Sequence, residues 1–479
     1  MQRYKKCSSG LSIKSKAFAT AQLLQIYKII PYLCSEMERA MKNVYIETYG
    51  CQMNVNDSEV VLSILKDAGY CHCSQMKDAD LILVNTCSIR DNAEQRILGR
   101  LDVFRLEKKR RKGIVVGVLG CMAERMKETL LAHPVVDLVA GPDAYRSLPE
   151  LVAAVPSEGK QINTVLSHEE TYGDINPVRL DSAGVSAYIS IMRGCNNVCS
   201  YCIVPYVRGA ERSRDPRTIV REACQLAADG YKEINLLGQN VDSYIWKEES
   251  AEPLKFAGLL EMVAQVSPDV RVRFSTSHPK DMGDDVLYVM ARYDNICHHI
   301  HLPVQSGSTP MLEKMKRKYT RESYLDRIAR IREILPDCAI TTDVIAGFSG
   351  ETQEDHEATL SLFREVKYDG AFMFQYSERP GTYASRHLPD DVPAEVKTAR
   401  LNEIIALQNE HSLENNLKCV GKVFRVLVEG PSKRSEAELV GRTSQNKTCV
   451  FPASGHKAGE YLDVKVLSVT SATLICCLV

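Results

Sequence analysis

The sequence predicts an α/β protein of three domains: a parallel α/β domain, a longer series of strand–helix units, and a small antiparallel β-barrel. Three observations predict it. Strand-like runs alternate with helix-like stretches from Asn43 onward, which implies parallel strands joined by crossovers. Six further strand–helix units follow between residues 184 and 413. Beyond residue 413 the period changes to short strands separated by Gly, Pro and Asn, as in a small barrel. A chain of 479 residues is also too long for a single core. The predicted units are an extension (1–42), a first domain (43–156), a polar linker broken by Gly and Pro (157–183), a second domain (184–413) and a third (414–479).

Composition narrows the class. The chain is 44% hydrophobic and 25% charged, with a net charge of −1, so no global field favours nucleic acid. Seventeen Cys at irregular spacing, with no signal-peptide pattern, fit a reducing cytoplasmic setting and metal-bound thiols rather than a disulfide scaffold. No apolar run approaches the roughly 18 residues of a membrane span. Residues 1–42 are basic, with acids only at Glu36 and Glu38. They read as an extension upstream of the usual start, with a transit segment as the alternative.

In the first domain, strands are expected at Val44–Thr48, Leu81–Val84 and 114–119, with helices at 57–68, 89–106 and 123–131. Each of these strands ends in a cysteine: Tyr49-Gly50-Cys51, Asn85-Thr86-Cys87 and Leu119-Gly120-Cys121. Equivalent positions on a parallel sheet converge at its carboxyl edge, where ligands bind. Three thiolates meeting there point to a [4Fe–4S] cluster with one iron free of protein ligands; the alternative is three buried thiols acting as small hydrophobes. Cys71 and Cys73 lack that placement. The run Lys108–Lys112 reads first as a solvated helix end.

The second domain is expected to have strands at 187–192, 233–237, 271–275, 298–302, 340–345 and 371–375, with helices at 219–229, 254–266 and 321–335. Its first strand leads into Arg193-Gly194-Cys195-Asn196-Asn197-Val198-Cys199-Ser200-Tyr201-Cys202. The spacing C-x3-C-x2-C suits three irons of a [4Fe–4S] cluster and leaves the fourth open to a small chelator. A zinc knuckle is the alternative, but structural zinc takes four ligands and no fourth Cys or His is near. Other strand ends are polar: Gly238-Gln239-Asn240, Ser275-Thr276-Ser277-His278, Gln305-Ser306-Gly307 and Asp343. His299 and His301 share one face of their strand, fit for hydrogen bonding at the barrel mouth or, less simply, for a metal. Gly347-Phe348-Ser349-Gly350 lacks the Lys-Ser/Thr of a phosphate loop.

A helix at 394–413 precedes the third domain, whose strands are expected at 422–428, 437–440, 448–450 and 461–468. From Asn416 to the end, nine Lys/Arg face five Asp/Glu, a net of +4 that suits contact with an RNA backbone.

From about Lys42 onward the chain resembles the radical S-adenosylmethionine (SAM) methylthiotransferases. It is most similar to the MiaB-type branch, which makes 2-methylthio-N6-isopentenyladenosine in tRNA. The residues that carry the resemblance include 47–54, 85–90, 120–125, the C-x3-C-x2-C loop, Val207-Arg208-Gly209 through Arg214, 301–308 and Tyr376-Ser377-Glu378-Arg379-Pro380-Gly381-Thr382. The resemblance implies a central radical SAM partial (β/α)6 barrel and a C-terminal TRAM domain. It implies two [4Fe–4S] clusters, on Cys51, Cys87 and Cys121 and on Cys195, Cys199 and Cys202. SAM, two per turnover, would be recognised by Tyr201, Gln239, Ser275, Gln305 and Asp343. The implied reaction is radical sulfuration at C2 of an isopentenylated adenine beside the anticodon, followed by S-methylation. The implied partners are a tRNA anticodon stem-loop, a flavodoxin- or ferredoxin-like electron donor and a sulfur donor. RNA contacts are expected from Arg208, Arg212, Arg214, Lys422, Arg425, Lys433 and Arg434, although Arg212 and Arg214 also suit internal pairs with Glu211 or Asp215. Related branches act on threonylcarbamoyl-adenosine or on a ribosomal-protein Asp. An RNA-binding protein with structural metal is the reading of another class.

Overall fold

A computed structural model describes residues 41–88, 91–180, 184–248 and 252–479, with the backbone alone for 91–95. The expected extension up to residue 40 and the expected helix start at Ile89 lie outside the described residues.

The first domain is one parallel sheet. Its strands are β1 (Lys42–Tyr49), β2 (Tyr70–His72), β3 (Leu81–Thr86), β4 (Val115–Gly120), β5 (Leu138–Ala140) and β6 (Gln161–Asn163), in the order β2-β1-β3-β4-β5-β6. Helices α1 (Gln52–Asp67), α2 (Asp91–Arg110), α3 (Cys121–Leu131) and α4 (Leu148–Glu158) provide the crossovers. Every residue of β3 and β4 is buried, as in a parallel sheet covered on both faces. The strand order reverses between β1 and β3, the switch point at which open sheets of this kind form their ligand crevice.

The predicted linker 157–183 is not a free connection. It contains β6, and Tyr172, Ile175 and Val178 pack into the same apolar layer as Val60, Leu65 and Leu83. Its polar, Gly/Pro-broken composition masked three anchors that only the folded sheet makes useful.

The second domain contains β7 (Ser186–Ser190), a ribbon of β8 (Met192–Arg193) and β9 (Arg212–Ser213), β10 (Glu233–Leu237), a second ribbon of β11 (Ile245–Trp246) and β12 (Leu254–Lys255), then β13 (Arg271–Ser275), β14 (His299–His301), β15 (Ala339–Ala346) and β16 (Gly370–Gln375). The parallel sheets β7-β10-β13 and β14-β15-β16 are linked by a parallel bridge between Val272 and Ile296. Six parallel strands therefore run in chain order, as the expected partial barrel does. Among the described residues β7 and β16 do not pair, so the barrel is open on that side. Its helices are α5 (Val204–Arg208), α6 (Pro216–Ala228), α7 (Phe256–Ala264), α8 (Asp284–Arg292), α9 (Thr309–Lys314), α10 (Arg321–Ile334), α11 (Gln353–Val366), α12 (Tyr383–His387) and α13 (Ala394–Leu417). One apolar core joins Ile189, Leu236, Phe274, Ile300, Tyr324 and Phe363.

The third domain closes as β17 (Val423–Ser432), β18 (Ser435–Arg442), β19 (Thr448–Pro452), β21 (Leu474–Leu478) and β20 (Tyr461–Val469). It is not wholly antiparallel, because β19 and β21 run parallel. The fifth strand, Leu474–Leu478, has no counterpart in the expected set; a five-residue terminal run declares itself only by filling the gap between β19 and β20. This barrel docks beneath the amino ends of the half-barrel strands. Arg271 donates to the carbonyls of Arg442 and Arg425, and Arg273 to those of Thr443 and Ser444 while pairing with Glu233 at 2.6 Å. The Tyr461 hydroxyl donates to the carbonyls of Lys232 and Asp269.

Candidate functional site

All six predicted ligand cysteines line one cavity of about 1250 Å³. It runs from the cysteine loops, at the carboxyl edges of both sheets, through the half-barrel to the third domain.

In the first domain, register produces the convergence. Tyr49 pairs with Thr86 and Thr86 with Gly120, so Cys51, Cys87 and Cys121 leave three adjacent strands at one level. Neighbouring strands lie roughly 4.8 Å apart. Gly50, at φ +141°, permits the close approach: a Cβ there would meet Cys87 Cβ and Asn54 Oδ1, each at 2.6 Å. Asn54 ties the loops together. Its Nδ2 donates to Asn85 Oδ1 and to the Thr86 carbonyl, Asn85 Nδ2 returns a bond to the Asn54 carbonyl, and Thr86 Oγ1 donates to the Leu119 carbonyl. Cys51 caps α1, which begins five residues earlier than the apolar pattern indicated because its first turn, Gln52-Met53-Asn54-Val55, alternates polar and apolar residues. A hydrogen bond from Cys87 holds the Cys51 thiol down, at about 6, whereas burial raises that of Cys121.

In the second domain, the cysteine loop leaves the β7–β8 edge. The Cys195 amide bonds the Gly209 carbonyl and the Cys202 amide that of Cys199. Gly194, at φ +73°, lies so close to Ala210 that a Cβ would sit 2.0 Å from its carbonyl oxygen. The Ser200 amide and hydroxyl bond the carbonyls of Met315 and Lys314, which brings the segment after α9 against the loop. Burial pushes Cys195 up to about 11 and Cys202 up to about 12, so metal binding must displace their protons.

Each set receives one buried guanidinium. Arg208 Nε donates to Cys121 Sγ at 3.2 Å, and Arg317 Nη1 to Cys199 Sγ at 3.3 Å. Donors aimed at sulfur suit thiolates and cluster ligands. Among the described residues no three His, Cys, Asp or Glu side chains are placed to hold a single ion. A four-iron cluster asks less, because each thiolate binds its own iron.

The expected SAM contacts separate. Tyr201, Gln239, Ser275 and Asp343 line the cavity, and Gln239 Oε1 is buried without a partner, as a residue facing an absent ligand would be. Gln305 differs: it is not among the lining residues, and its backbone, at φ +70°, is bonded to Asp343 and Ile345. His299 and His301 both bond Thr341 Oγ1 at 3.0 Å, and His301 lies 3.2 Å from Asp343 Oδ1. Burial holds His299 down to about 3 and His278 to about 2, so both are neutral hydrogen-bonding rings.

The arginines expected to meet RNA divide as well. Arg208, Arg212 and Arg214 are buried, which corrects that expectation. Arg208 pairs with Asp57 at 2.8 Å, Arg212 with Asp143 at 2.9 Å and Arg214 with Glu222 at 2.6 Å; neither Glu211 nor Asp215 is the partner. Desolvating a guanidinium is costly unless an anion replaces water, and here Asp57 on α1, Asp143 in the loop after β5 and Glu222 on α6 supply the carboxylates. Lys422, Arg425, Lys433 and Arg434 are exposed on the third domain. Lys447 is spent on Asp369 at 2.8 Å. Sequence reasoning missed Asn54, Asp57 and Arg317. Asn54 lies within a quoted motif, but nothing around Arg317 pointed to Cys199.

Comparison with known proteins agrees with this architecture. Residues 43–141 match the uncharacterized protein family UPF0004, 189–363 the radical SAM superfamily and 417–476 the TRAM domain. A tRNA-2-methylthio-N(6)-dimethylallyladenosine synthase of Bacteroides thetaiotaomicron is 58% identical, over 90% of this chain and 95% of its own. Proteins of the same name from Amoebophilus asiaticus and Porphyromonas gingivalis are 57% and 56% identical, over 91% and 90% of this chain and 92% and 94% of their own. A solved radical S-adenosylmethionine methyltransferase from Kitasatospora setae shares the fold at 15% identity, with a TM-score of 0.55, over 82% of this chain and 79% of its own. With three matching domains in order and relatives above half identity over nearly its whole length, this chain belongs to the tRNA-2-methylthio-N(6)-dimethylallyladenosine synthase family of radical SAM proteins.

Proposed function

We propose that this chain converts N6-isopentenyladenosine beside the tRNA anticodon to its 2-methylthio derivative, by exchanging the C2 hydrogen for sulfur and then methylating that sulfur from SAM. The observation that carries the reading is the single cavity lined by both three-cysteine sets. A base bound in it would share one cavity with both sets. Bound there, a [4Fe–4S] cluster on Cys195, Cys199 and Cys202 would supply one-electron reduction of SAM, and a second on Cys51, Cys87 and Cys121 an open iron for the sulfur.

The chain's own residues bind and orient. Tyr201, Gln239, Ser275 and Asp343 are the proposed SAM contacts, with His301 holding the Asp343 carboxylate. Gln305 would act through its backbone, fixing the part of β15 that carries Asp343. Arg442 and Asn446 of the third domain line the cavity's far end, away from the cysteine loops. The target base must leave its stack at a cost of a few kcal/mol, less in an unpaired loop. Lys422, Arg425, Lys433 and Arg434 would hold phosphates without reading sequence. A flavodoxin- or ferredoxin-like one-electron donor and a sulfur donor complete the partners. The setting is cytoplasmic; among the described residues no helix is long and apolar enough to cross a membrane.

Anticodon stem-loops with and without the isopentenyl group test the proposal. Mass spectrometry should find the methylthio product only on the isopentenylated RNA. Equal conversion of the unmodified loop would overturn the substrate assignment.

A further inference from the structure

The two guanidiniums that reach cysteine sulfur differ in their remaining partners. Arg208 gives Nε to Cys121 and Nη2 to Asp57 Oδ2 at 2.8 Å, so a carboxylate meets its charge at contact. Asp57 is fully buried and also takes Arg193 at 2.8 Å. Arg317 is 5% exposed and bonds only neutral acceptors besides Cys199: the Pro303 carbonyl at 3.0 Å and the Tyr319 hydroxyl at 3.0 Å. Among the described residues no carboxylate pairs with it.

An isolated buried cation is expensive, and the anion that compensates it belongs beside it. The Cys199 thiol turns anionic when it ligates iron, whereas burial keeps the Tyr319 phenol protonated. A cluster becomes more negative when it accepts an electron, so a fixed cation at its ligand favours the reduced form. A cation already met by a carboxylate favours it less.

We propose that Arg317 is a positioning residue whose fixed charge raises the reduction potential of the cluster on Cys195, Cys199 and Cys202, while Asp57, shared with Arg193, partly offsets the charge of Arg208 at the other set. Arg317 thus eases electron entry from an external one-electron donor at the radical site. The proposal rests on the two-cluster reading above.

Potentiometric titration followed by electron paramagnetic resonance, on iron-loaded full-length chain without SAM, tests it. With Cys51, Cys87 and Cys121 replaced by Ala, only the radical-site cluster remains. Arg317→Met should there lower the midpoint so that the ratio of reduced to oxidised cluster at the parent midpoint falls about tenfold, about 59 mV for one electron. Arg317→Lys, which keeps the charge, should restore most of the shift. Asp57→Asn, with Cys195, Cys199 and Cys202 replaced by Ala, should raise the midpoint of the other cluster, because it uncovers the charge of Arg208. In metal-free chain, Arg317→Met should leave the melting temperature unchanged or raise it, because it removes an unpaired buried charge. A midpoint not raised by Asp57→Asn, an Arg317→Lys variant as low as Arg317→Met, or a lower apoprotein melting temperature would overturn the proposal. Absence of any iron–sulfur signal in the parent lacking Cys51, Cys87 and Cys121 would instead overturn the cluster reading itself.

Discussion

The two three-cysteine sets are assembled in opposite ways. Cys195, Cys199 and Cys202 lie on one short loop, which has its own Cys199–Cys202 turn and is tied to its surroundings through the carbonyls of Gly209, Lys314 and Met315. Cys51, Cys87 and Cys121 come from three strands and meet only because β1, β3 and β4 are neighbours in register. The first set needs a loop and the second needs a sheet. A local set keeps its spacing within one loop, whereas a dispersed set is sensitive to anything that shifts one strand end against another.

The strongest way to break the comparison is chemical. Replacing Cys195, Cys199 and Cys202 by Ala should abolish formation of 5′-deoxyadenosine from SAM. Replacing Cys51, Cys87 and Cys121 should leave that cleavage measurable and stop sulfur insertion. Chromatographic assay of both products distinguishes the sites, and equal loss of cleavage in both variants would refute the division of labour.

Metal content gives the next effect. Reconstituted chain should carry about eight irons and eight sulfides, and either triple variant about half of each. Iron unchanged by the loss of one set would remove that set from the ligands.

Gly50→Ala sharpens the contrast further. The added Cβ collides with Cys87 Cβ and Asn54 Oδ1, and strain of this kind costs on the order of 1–3 kcal/mol. The variant should load poorly at Cys51, Cys87 and Cys121 while retaining SAM cleavage, read by iron content and 5′-deoxyadenosine. A parallel fall in both would mean that the two sets do not fold independently.

The smallest effect concerns RNA. Deleting the third domain would strip Arg271 and Arg273 of their carbonyl partners, so its surface charges are the cleaner target. Replacing Lys422, Arg425, Lys433 and Arg434 by Ala should weaken binding of isopentenylated and plain stem-loops alike. Each lost phosphate contact should flatten the slope of log affinity against log salt by roughly 0.7–0.9. Titrations at several salt concentrations check this, and unchanged affinity would place the RNA grip elsewhere.

Much of the architecture was legible because it is written in local periodicity. The six half-barrel strands lie within a residue or two of their expected positions, since apolar runs bounded by Gly and polar turns have few alternatives. The short strands β2, β5, β6 and β21 were missed: three to five residues carry no period of their own, and pairing partners define them. The linker was misread for the same reason, because Tyr172, Ile175 and Val178 are anchors only against a sheet already in place.

For the site, the sequence by itself determined the ligand chemistry. C-x3-C-x2-C and three strand-end cysteines name thiols whatever surrounds them, since coordination depends on atom type and short spacing. Tertiary structure alone decided what the charges do. Arg208, Arg212 and Arg214 look like a phosphate-binding strip in one dimension, yet folding turns them inward onto Asp57, Asp143 and Glu222. Arg317 carries no signal of its own in the sequence, yet it ends on Cys199. A side chain's charge is a property of sequence, but its partner is set by desolvation, which exists only once the chain has closed around it.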